Sequence, residues 1–270
     1  MHDRSGCQLW EFAIRYSHKG LMTNKYLAAV QVNMLVWVAL ASQSAFADPG
    51  YYLVSVYDNE GQVSLDLRYW TVLPTGRPAV VWPEIGIGYG VTKRWYTELY
   101  ASYIGSAGTA TQISSMKWQN DYLLTQGQFD IDVALHTNLI RNYGPYYDAY
   151  SFEFRPAIQT DIGRVQLNTN LIFEKFFDSA GAAILQLKYQ FQAEYRVNEW
   201  FHFGVQGFGE LGDWNQWAPA NRQSHRAGPV VTGTVPLGNK QALRYDFAFL
   251  FGDTYAQRGN MFSMRVQMLF

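Results

Sequence analysis

The chain has 270 residues, and its 21 Lys and Arg against 22 Asp and Glu leave no broad basic face, so no nucleic-acid partner is predicted. Only 16% of the residues are charged while 17% are aromatic, which excludes a disordered chain. The slightly negative mean hydropathy excludes a bundle of membrane helices. The single cysteine, Cys7, excludes a disulfide scaffold and a cysteine-based metal site. A β-rich protein remains.

Residues 1–47 carry the features of a cleaved signal peptide. The segment 27–41 is the most apolar stretch of the chain, but it is shorter than the roughly 20 residues that a membrane-spanning helix needs. The sequence Ala45-Phe46-Ala47 follows with the small-x-small pattern that signal peptidase reads. Met22 is an alternative start, which would give a shorter leader. A buried core helix or an uncleaved anchor is the competing interpretation.

From residue 62 onward the dominant pattern is alternation with a period of two, which is typical of strands with two different faces. In 165–174 the odd positions are mostly apolar, while Gln166, Asn168, Asn170 and Glu174 lie on the other face. A helical period of 3.6 would mix these two sets. The predicted strands are 62–73, 84–91, 95–104, 115–124, 129–139, 150–161, 165–175, 185–197, 200–211, 226–235, 242–252 and 261–270.

The connections between these twelve segments alternate in length. Short turns are predicted at 92–93, 125–127, 161–164, 198–199 and 236–239. Longer loops are predicted at 74–83, 105–114, 141–149, 176–183, 212–225 and 253–260. An even strand number with short turns at one end and long loops at the other is typical of an outer-membrane barrel, which leaves no open sheet edge in lipid.

A soluble β-sandwich or lipocalin-like barrel would show the same alternation. Three features favour the membrane. The polar face is rich in Gln and Asn and poor in Lys, and aromatic pairs such as Trp95-Tyr96 and Trp200-Phe201 lie at strand ends, where interfacial girdles form. The third feature is the final alternating segment, 264–270, which ends on Phe270.

With that last strand and its terminal Phe270, the chain resembles the Gram-negative outer-membrane β-barrel superfamily over 62–270. The resemblance implies an all-β fold, a transmembrane antiparallel up-and-down barrel of about twelve strands. It also implies contact with outer-membrane lipid and a role for Phe270 as the signal that the barrel-assembly machinery reads. In size and layout the chain is similar to the small twelve-stranded channel and transporter-like families, including the MetA-type proteins of phenol-degradation operons.

If the apolar positions face lipid, the charged residues of opposite parity face the lumen. The predicted lumen set comprises the acids Asp66, Glu98, Asp121, Asp130, Asp132, Glu153, Glu174, Glu194, Glu210 and Asp246 and the bases Arg68, Lys117, Arg155, Lys188, Arg196, Arg244 and Arg265. The excess of acids favours a mild cation preference. The candidates for mid-strand lumen charges are Arg68, Asp132, Arg155, Glu194, Arg196, Arg244 and Asp246. Alternatively, these charges pair across a narrow barrel and only stabilise it.

Three other segments bear on function. The loops 212–225 and 143–150 are rich in aromatic residues: Trp214, Trp217, Tyr143, Tyr146 and Tyr147. These rings either stack on sugars or aromatic solutes or, as we favour, belong to the aromatic girdle. The segment 48–61, which precedes the first strand, is either a periplasmic lead-in or a plug of the lumen.

The sequence indicates no enzyme. Outer-membrane phospholipase A is also twelve-stranded and uses a His and a Ser two residues apart, whereas His136, His202 and His225 are followed two positions later by Asn, Gly and Ala. No metal-ligand spacing appears and no cofactor is predicted. We therefore expect an outer-membrane barrel that passes small polar or aromatic solutes passively. The alternative is a closed structural or surface-interaction barrel that works through its aromatic loops.

Overall fold

The computed structural model describes residues 52–54, 60–106, 108–144, 148–178, 181–182, 185–254 and 257–270. The predicted signal peptide, 1–47, lies outside them. Within the described residues there are twelve long strands: β1 Val63–Pro74, β2 Val80–Gly90, β3 Trp95–Ser106, β4 Thr109–Leu123, β5 Ile131–Asn142, β6 Ala149–Ile162, β7 Val165–Asp178, β8 Gln186–Arg196, β9 His202–Asp213, β10 Ser224–Gly238, β11 Gln241–Thr254 and β12 Gln257–Leu269. Two short strands, Gly181–Ala182 and Gln216–Trp217, and a 3-10 turn at Ala220–Arg222 complete the described elements.

The twelve long strands form one closed antiparallel barrel. Each strand pairs with its neighbours in the sequence, and β1 pairs with β12 from Ser64 opposite Leu269 to Pro74 opposite Gly259. Closure satisfies the backbone groups at both sheet edges, as a bilayer requires. None of the described residues forms a helix long and apolar enough to cross a membrane.

One end of the barrel, here named the turn end, carries the short turns and both termini of the sheet. One of these turns joins β10 to β11 through Asn239 and Lys240, whose φ angles of 47° and 66° fit a two-residue type I′ hairpin. The other end, here named the loop end, carries the remaining connections. This arrangement confirms the predicted up-and-down topology.

Several strands extend further toward the loop end than the alternation predicted. β4 begins at Thr109 rather than at 115, so that only residues 107–108 separate it from β3, and the long loop predicted at 105–114 is wrong. The loop predicted at 253–260 is likewise mostly strand, since β12 begins at Gln257. The side chains of 109–113 are exposed on both faces, which explains why no apolar and polar alternation marks that part of the strand.

The two faces of the barrel are inverted relative to a soluble protein. Large apolar side chains are exposed on the outer face, among them Leu65, Ile85, Leu99, Trp118 and Phe203. Charged and amide side chains are buried on the inner face, among them Asp66, Arg68, Glu98, Gln119 and Arg155. Such a surface suits lipid and excludes the soluble lipocalin-like alternative, in which apolar side chains would fill the interior.

Candidate functional site: the barrel lumen

Three residues that precede β1 lie inside the barrel. Tyr52, Leu53 and Val54 are buried, with 5%, 7% and 3% of their surface exposed. The Val54 backbone N–H donates to Asn170 Oδ1 (2.8 Å), and its carbonyl accepts from Asn168 Nδ2 (3.0 Å). Side chains of β7 therefore satisfy the backbone groups of Val54. We name residues 52–54 the N-terminal segment. Residues 48–51 and 55–59 of the same stretch lie outside the described residues.

The side chain of Tyr52 fills the centre of the lumen between two arginines. The guanidinium carbons of Arg68 and Arg155 lie 3.7 and 4.8 Å from the centre of its ring, which is the geometry of a cation–π contact. The Tyr52 hydroxyl donates to Gln119 Oε1 (3.2 Å) and lies 3.4 Å from His136 Nε2. The tyrosine is thus held from three sides by β1, β6 and the β4–β5 pair.

Arg68 is the centre of a buried ion-pair network on β1, β2 and β3. Its Nη2 lies 3.5 Å from Asp66 Oδ2 and 3.4 Å from Glu98 Oε2, and its Nη1 lies 3.9 Å from Glu84 Oε2. Arg265 on β12 donates from Nε to Asp66 Oδ2 (2.8 Å). Buried charges of this kind are tolerated only when they are paired and hydrogen-bonded.

The opposite wall carries its own ion pairs. Arg155 Nη2 lies 3.1 Å from Glu153 Oε2, and Lys188 Nζ lies 2.7 Å from Glu174 Oε2. Lys117 on β4 contacts Glu84, which also belongs to the Arg68 network. These contacts neutralise many of the charges that were predicted to face the lumen. Such pairing is what the alternative of a narrow barrel stabilised by its own ion pairs predicts.

An apolar cluster also faces the lumen, in the half of the barrel nearer the loop end. It joins inward-facing residues of β1 and of β9 to β12, and Trp82 packs against it: Trp70, Phe208, Val230, Ala248, Leu250 and Met261. The exposed fractions of these residues are 3% or less. We name this set the apolar cluster. The lumen is packed rather than water-filled at that level.

The sequence interpretation missed the apolar cluster because it assigned apolar residues to lipid as a class. The alternation of inward and outward positions along each strand could have identified these residues. Trp70 lies two positions after Arg68, and Met261 lies two positions before Ser263. Each therefore shares the inward face with a polar neighbour. A residue's face, rather than its polarity, was the reliable signal.

The lumen contains a cavity of about 290 Å³ toward the turn end. The N-terminal segment packs on β4 to β7 and leaves this space against β8 to β12. The cavity is lined mainly by polar side chains: Arg68, Gln159, Gln166, Gln192, Glu194, His202, Gln206, Thr232, Thr234, Arg244, Asp246, Ser263, Arg265 and Gln267, with Tyr52, Leu53, Gly233, Met264 and Tyr245. Within it, Glu194 Oε1 lies 3.0 Å from His202 Nδ1, and Glu194 Oε2 accepts from Thr232 Oγ1 (2.6 Å).

The structure separates the seven predicted lumen charges into three groups. Arg68 and Arg155 are fully buried in ion pairs, Arg68 also bordering the cavity, and Glu194, Arg244 and Asp246 line the cavity. The remaining two, Asp132 and Arg196, lie at the turn end rather than near mid-strand.

The prediction of a mid-strand position is therefore wrong for Asp132 and Arg196. Asp132 Oδ1 accepts from Gly127 N (2.7 Å) and Thr125 Oγ1 (3.0 Å), so this carboxylate closes the β4–β5 turn. Arg196 Nη2, at the end of β8, lies 3.0 Å from Oδ2 of Asp161, near the end of β6. Both residues keep the inward parity, but their strands have reached the turns at these positions.

The aromatic residues of the loops are exposed where they are described. Trp214 and Trp217 are 51% and 60% exposed, and Tyr143 is 38% exposed with the Arg141 guanidinium carbon 5.4 Å from its ring centre. Tyr146 and Tyr147 lie outside the described residues. At the other end of the chain, Phe270 N donates to Val63 O (2.9 Å), so the terminal residue extends the pairing that closes the barrel.

No family model matches the sequence, and no curated protein matches it. Solved structures of the same fold exist. An outer-membrane channel of the COG4313 group from Pseudomonas putida F1 superposes with a TM-score of 0.57 at 12% identity, over 83% of this chain and all of that one. The NanC porin superposes with a TM-score of 0.51 at 11% identity, over 75% of this chain and 98% of that one.

These similarities show that the chain has the fold of small Gram-negative outer-membrane barrels, and they confirm the resemblance predicted for 62–270 at the level of fold. The narrower resemblance to the MetA-type proteins has no support in them. At such low identity the similarity carries no information on solute or site residues.

Proposed function

We propose that the protein is an outer-membrane channel through which small polar solutes pass by diffusion. The observation that carries the proposal is the polar cavity of about 290 Å³ inside a closed barrel with an apolar outer face. A barrel with a purely structural role has no need for a cavity lined by several amides, hydroxyls and charges, because filling it would stabilise the fold. Of the two predicted solute classes, this lining favours polar over aromatic solutes.

The described conformation is that of a closed channel. Toward the loop end the apolar cluster fills the lumen on one side, and the Arg68 network and the ion pairs of Arg155 and Lys188 fill it on the other. At the turn end the N-terminal segment narrows the passage to the space along β8 to β12. Solute passage therefore requires a rearrangement of the apolar cluster, of the N-terminal segment, or of both.

The same proposal includes the steps that bring the protein to its membrane. Residues 1–47 direct export and are removed, the apolar outer face contacts outer-membrane lipid, and Phe270 is the residue read by the barrel-assembly machinery. The position of Phe270, paired with Val63 at the seam between β1 and β12, supports its part in assembly.

Planar-bilayer recording of the refolded protein tests the channel. We expect discrete conductance steps with weak ion selectivity in a salt gradient, because the cavity presents charges of both signs, with Glu194 and Asp246 beside Arg244 and Arg265. A barrel that shows heat-shifted migration on a gel but stays silent in the bilayer would overturn the channel. It would favour the alternative of a closed structural or surface-interaction barrel, for which the exposed Trp214 and Trp217 are the candidate contacts.

A further inference from the structure

Charged side chains on the outer face of the barrel lie close to the loop end. Among the described residues of the twelve long strands, the outward-facing positions that carry Asp, Glu, Lys or Arg are Arg141 on β5, Lys175 on β7, Asp253 on β11 and Arg258 on β12. Each lies within three positions of the loop end of its strand. A charge is costly in the middle of a lipid-facing surface and costs little at the interface, so these residues mark the level of the headgroups. Because the longer loops of such barrels are extracellular, these are the headgroups of the outer leaflet.

The cations of β5 and β7 are less well balanced than the pair on β11 and β12. Asp253 and Arg258 lie directly opposite each other in the strand register, so two opposite charges are neighbours there. Arg141 Nη2 lies 2.6 Å from Oδ1 of Asp148, a residue of the connection before β6 that is 62% exposed. The described contact of the Lys175 ammonium is with an aromatic ring and not with a carboxylate. The outer face around β6 therefore carries a net positive charge.

Arg141 and Lys175 converge on one cross-strand pair of aromatic rings. Tyr150 on β6 lies opposite Arg141 on one side and opposite Phe177 of β7 on the other. The Arg141 guanidinium carbon lies 4.6 Å from the ring centre of Tyr150, and Lys175 Nζ lies 5.7 Å from that of Phe177. Since Phe177 is two positions nearer the loop end than Lys175, the lysine side chain extends toward the headgroups. We name these four residues the cationic patch.

A phosphate group is the anion that suits this patch. A guanidinium group presents parallel N–H donors that match phosphate oxygens, and an ammonium group adds a compact charge. The ion pair with Asp148 uses Nη2 of Arg141, whereas a guanidinium group has five N–H donors in all. β5 and β7 lie about 10 Å apart, on either side of β6, so both cations can reach one headgroup. Tyr150 and Phe177 are 52% and 50% exposed, as aromatic residues at a membrane interface are.

We propose that the cationic patch binds the phosphorylated headgroup of a lipid in the outer leaflet of the outer membrane. Arg141 and Lys175 face the phosphate, and Tyr150 and Phe177 face the boundary between headgroup and acyl chains. Asp148 competes with the phosphate for Arg141, but an exposed ion pair of this kind is weak. The inference concerns the lipid around the barrel and does not depend on whether the lumen conducts.

Native mass spectrometry of the refolded protein in detergent, titrated with lipid A, tests the patch. We expect lipid A with both phosphates to bind roughly tenfold more tightly than the same lipid after enzymatic dephosphorylation. Arg141→Gln and Lys175→Gln should each lower the affinity for the phosphorylated lipid by roughly tenfold. Arg258→Gln removes an outward cation that lies opposite Asp253, so it is the matched control and should bind like the wild type. Asp148→Asn should bind more tightly, because it removes the competing carboxylate.

Three outcomes overturn the inference. The first is equal binding of the phosphorylated and dephosphorylated lipids, and the second is a loss in Arg258→Gln as large as that in Arg141→Gln. The third is displacement of the lipid by inorganic phosphate at low millimolar concentration, which would make the patch a site for a free anion. Heat-shifted migration on a gel shows that each variant is folded before it is titrated.

Conductance of the same preparation separates this result from the channel. A conducting barrel that does not bind the phosphorylated lipid overturns the patch alone. A silent barrel that binds it supports the patch and overturns the channel.

Discussion

The guanidinium group of Arg68 lies between two tyrosine rings, 3.7 Å from the ring centre of Tyr52 and 3.9 Å from that of Tyr100. Tyr100 belongs to the barrel wall, whereas Tyr52 belongs to the N-terminal segment. The contact between Arg68 and Tyr52 therefore ties the segment to the wall at the centre of the lumen. A desolvated cation–π contact of this kind contributes about 2 kcal/mol.

Removing the Tyr52 ring should release the N-terminal segment. In Tyr52→Ala the ring contacts to Arg68 and Arg155 and the hydrogen bond to Gln119 are lost. The segment then keeps its backbone hydrogen bonds and the packing of Val54 in a small buried apolar cluster. We expect a larger single-channel conductance and more frequent opening than in the wild type, measured in planar bilayers.

The matched control for this change is Tyr150→Ala, which removes an exposed tyrosine from the outer face of β6. It should leave the conductance unchanged. Equal conductance of Tyr52→Ala and the wild type would show that the N-terminal segment does not restrict the passage.

The apolar cluster should act as a second restriction. Trp70→Ala removes the largest of its side chains, which is 1% exposed and packs with Leu250 and Met261. We expect a loss of about 3–5 kcal/mol in unfolding free energy from the new cavity. Because water can enter that cavity, the rate of liposome swelling with small sugars should rise together with the loss of stability.

Trp118→Ala is the control for Trp70→Ala, since Trp118 is 49% exposed on the outer face of β4. It should cost less stability and leave solute permeation unchanged. If Trp70→Ala destabilises the barrel but leaves permeation at the wild-type rate, the apolar cluster is a core and not a barrier.

Most of the barrel could be predicted from the sequence, because a strand between lipid and a polar lumen must alternate, and all twelve strands carry that signal. The extension of β4 at 109–113 could not, since both of its faces are exposed. Which lumen charges meet could not be predicted either. The contact of Arg68 with Glu98 depends on the register of β1, β2 and β3. The contact of Tyr52 with Arg155 depends on the described residues 52–54, which lie outside the strands.

Asp132 illustrates the limit of parity, which gives the face of a residue but not its height in the barrel. Its carboxylate closes the β4–β5 turn, so Asp132→Ala should cost about 1 kcal/mol of stability through the lost hydrogen bonds to Gly127 and Thr125. Ion selectivity should stay at the wild-type value. Denaturant unfolding and reversal potentials in a salt gradient measure the two effects.

Asp130→Ala removes a neighbouring acid that is exposed, and its stability should match the wild type more closely. The opposite pattern, in which Asp132→Ala shifts the reversal potential and leaves stability intact, would show that the Asp132 carboxylate acts on ions in the lumen and does not stabilise the turn.

The inward-facing glycines of β2 make room for tyrosines of β3. A Cβ atom at Gly86 would lie 2.3 Å from Cε1 of Tyr100, a distance that no real contact allows. Tyr100 cannot move aside at low cost, because its hydroxyl donates to Asp66 Oδ2 (2.7 Å) and its ring covers Arg68. Gly86→Ala should therefore cost about 1–3 kcal/mol of unfolding free energy from overpacking.

A double-mutant cycle with Tyr100 gives this prediction its sharpest test. In the Tyr100→Ala background the clash is absent, so Gly86→Ala should cost much less than in the wild type, and the difference measures the coupling between the two residues. Gly108→Ala is the control, since a Cβ atom at that position meets nothing within 4 Å. Additive effects of the two substitutions would mean that Gly86 does not act through the position of Tyr100 beneath Arg68.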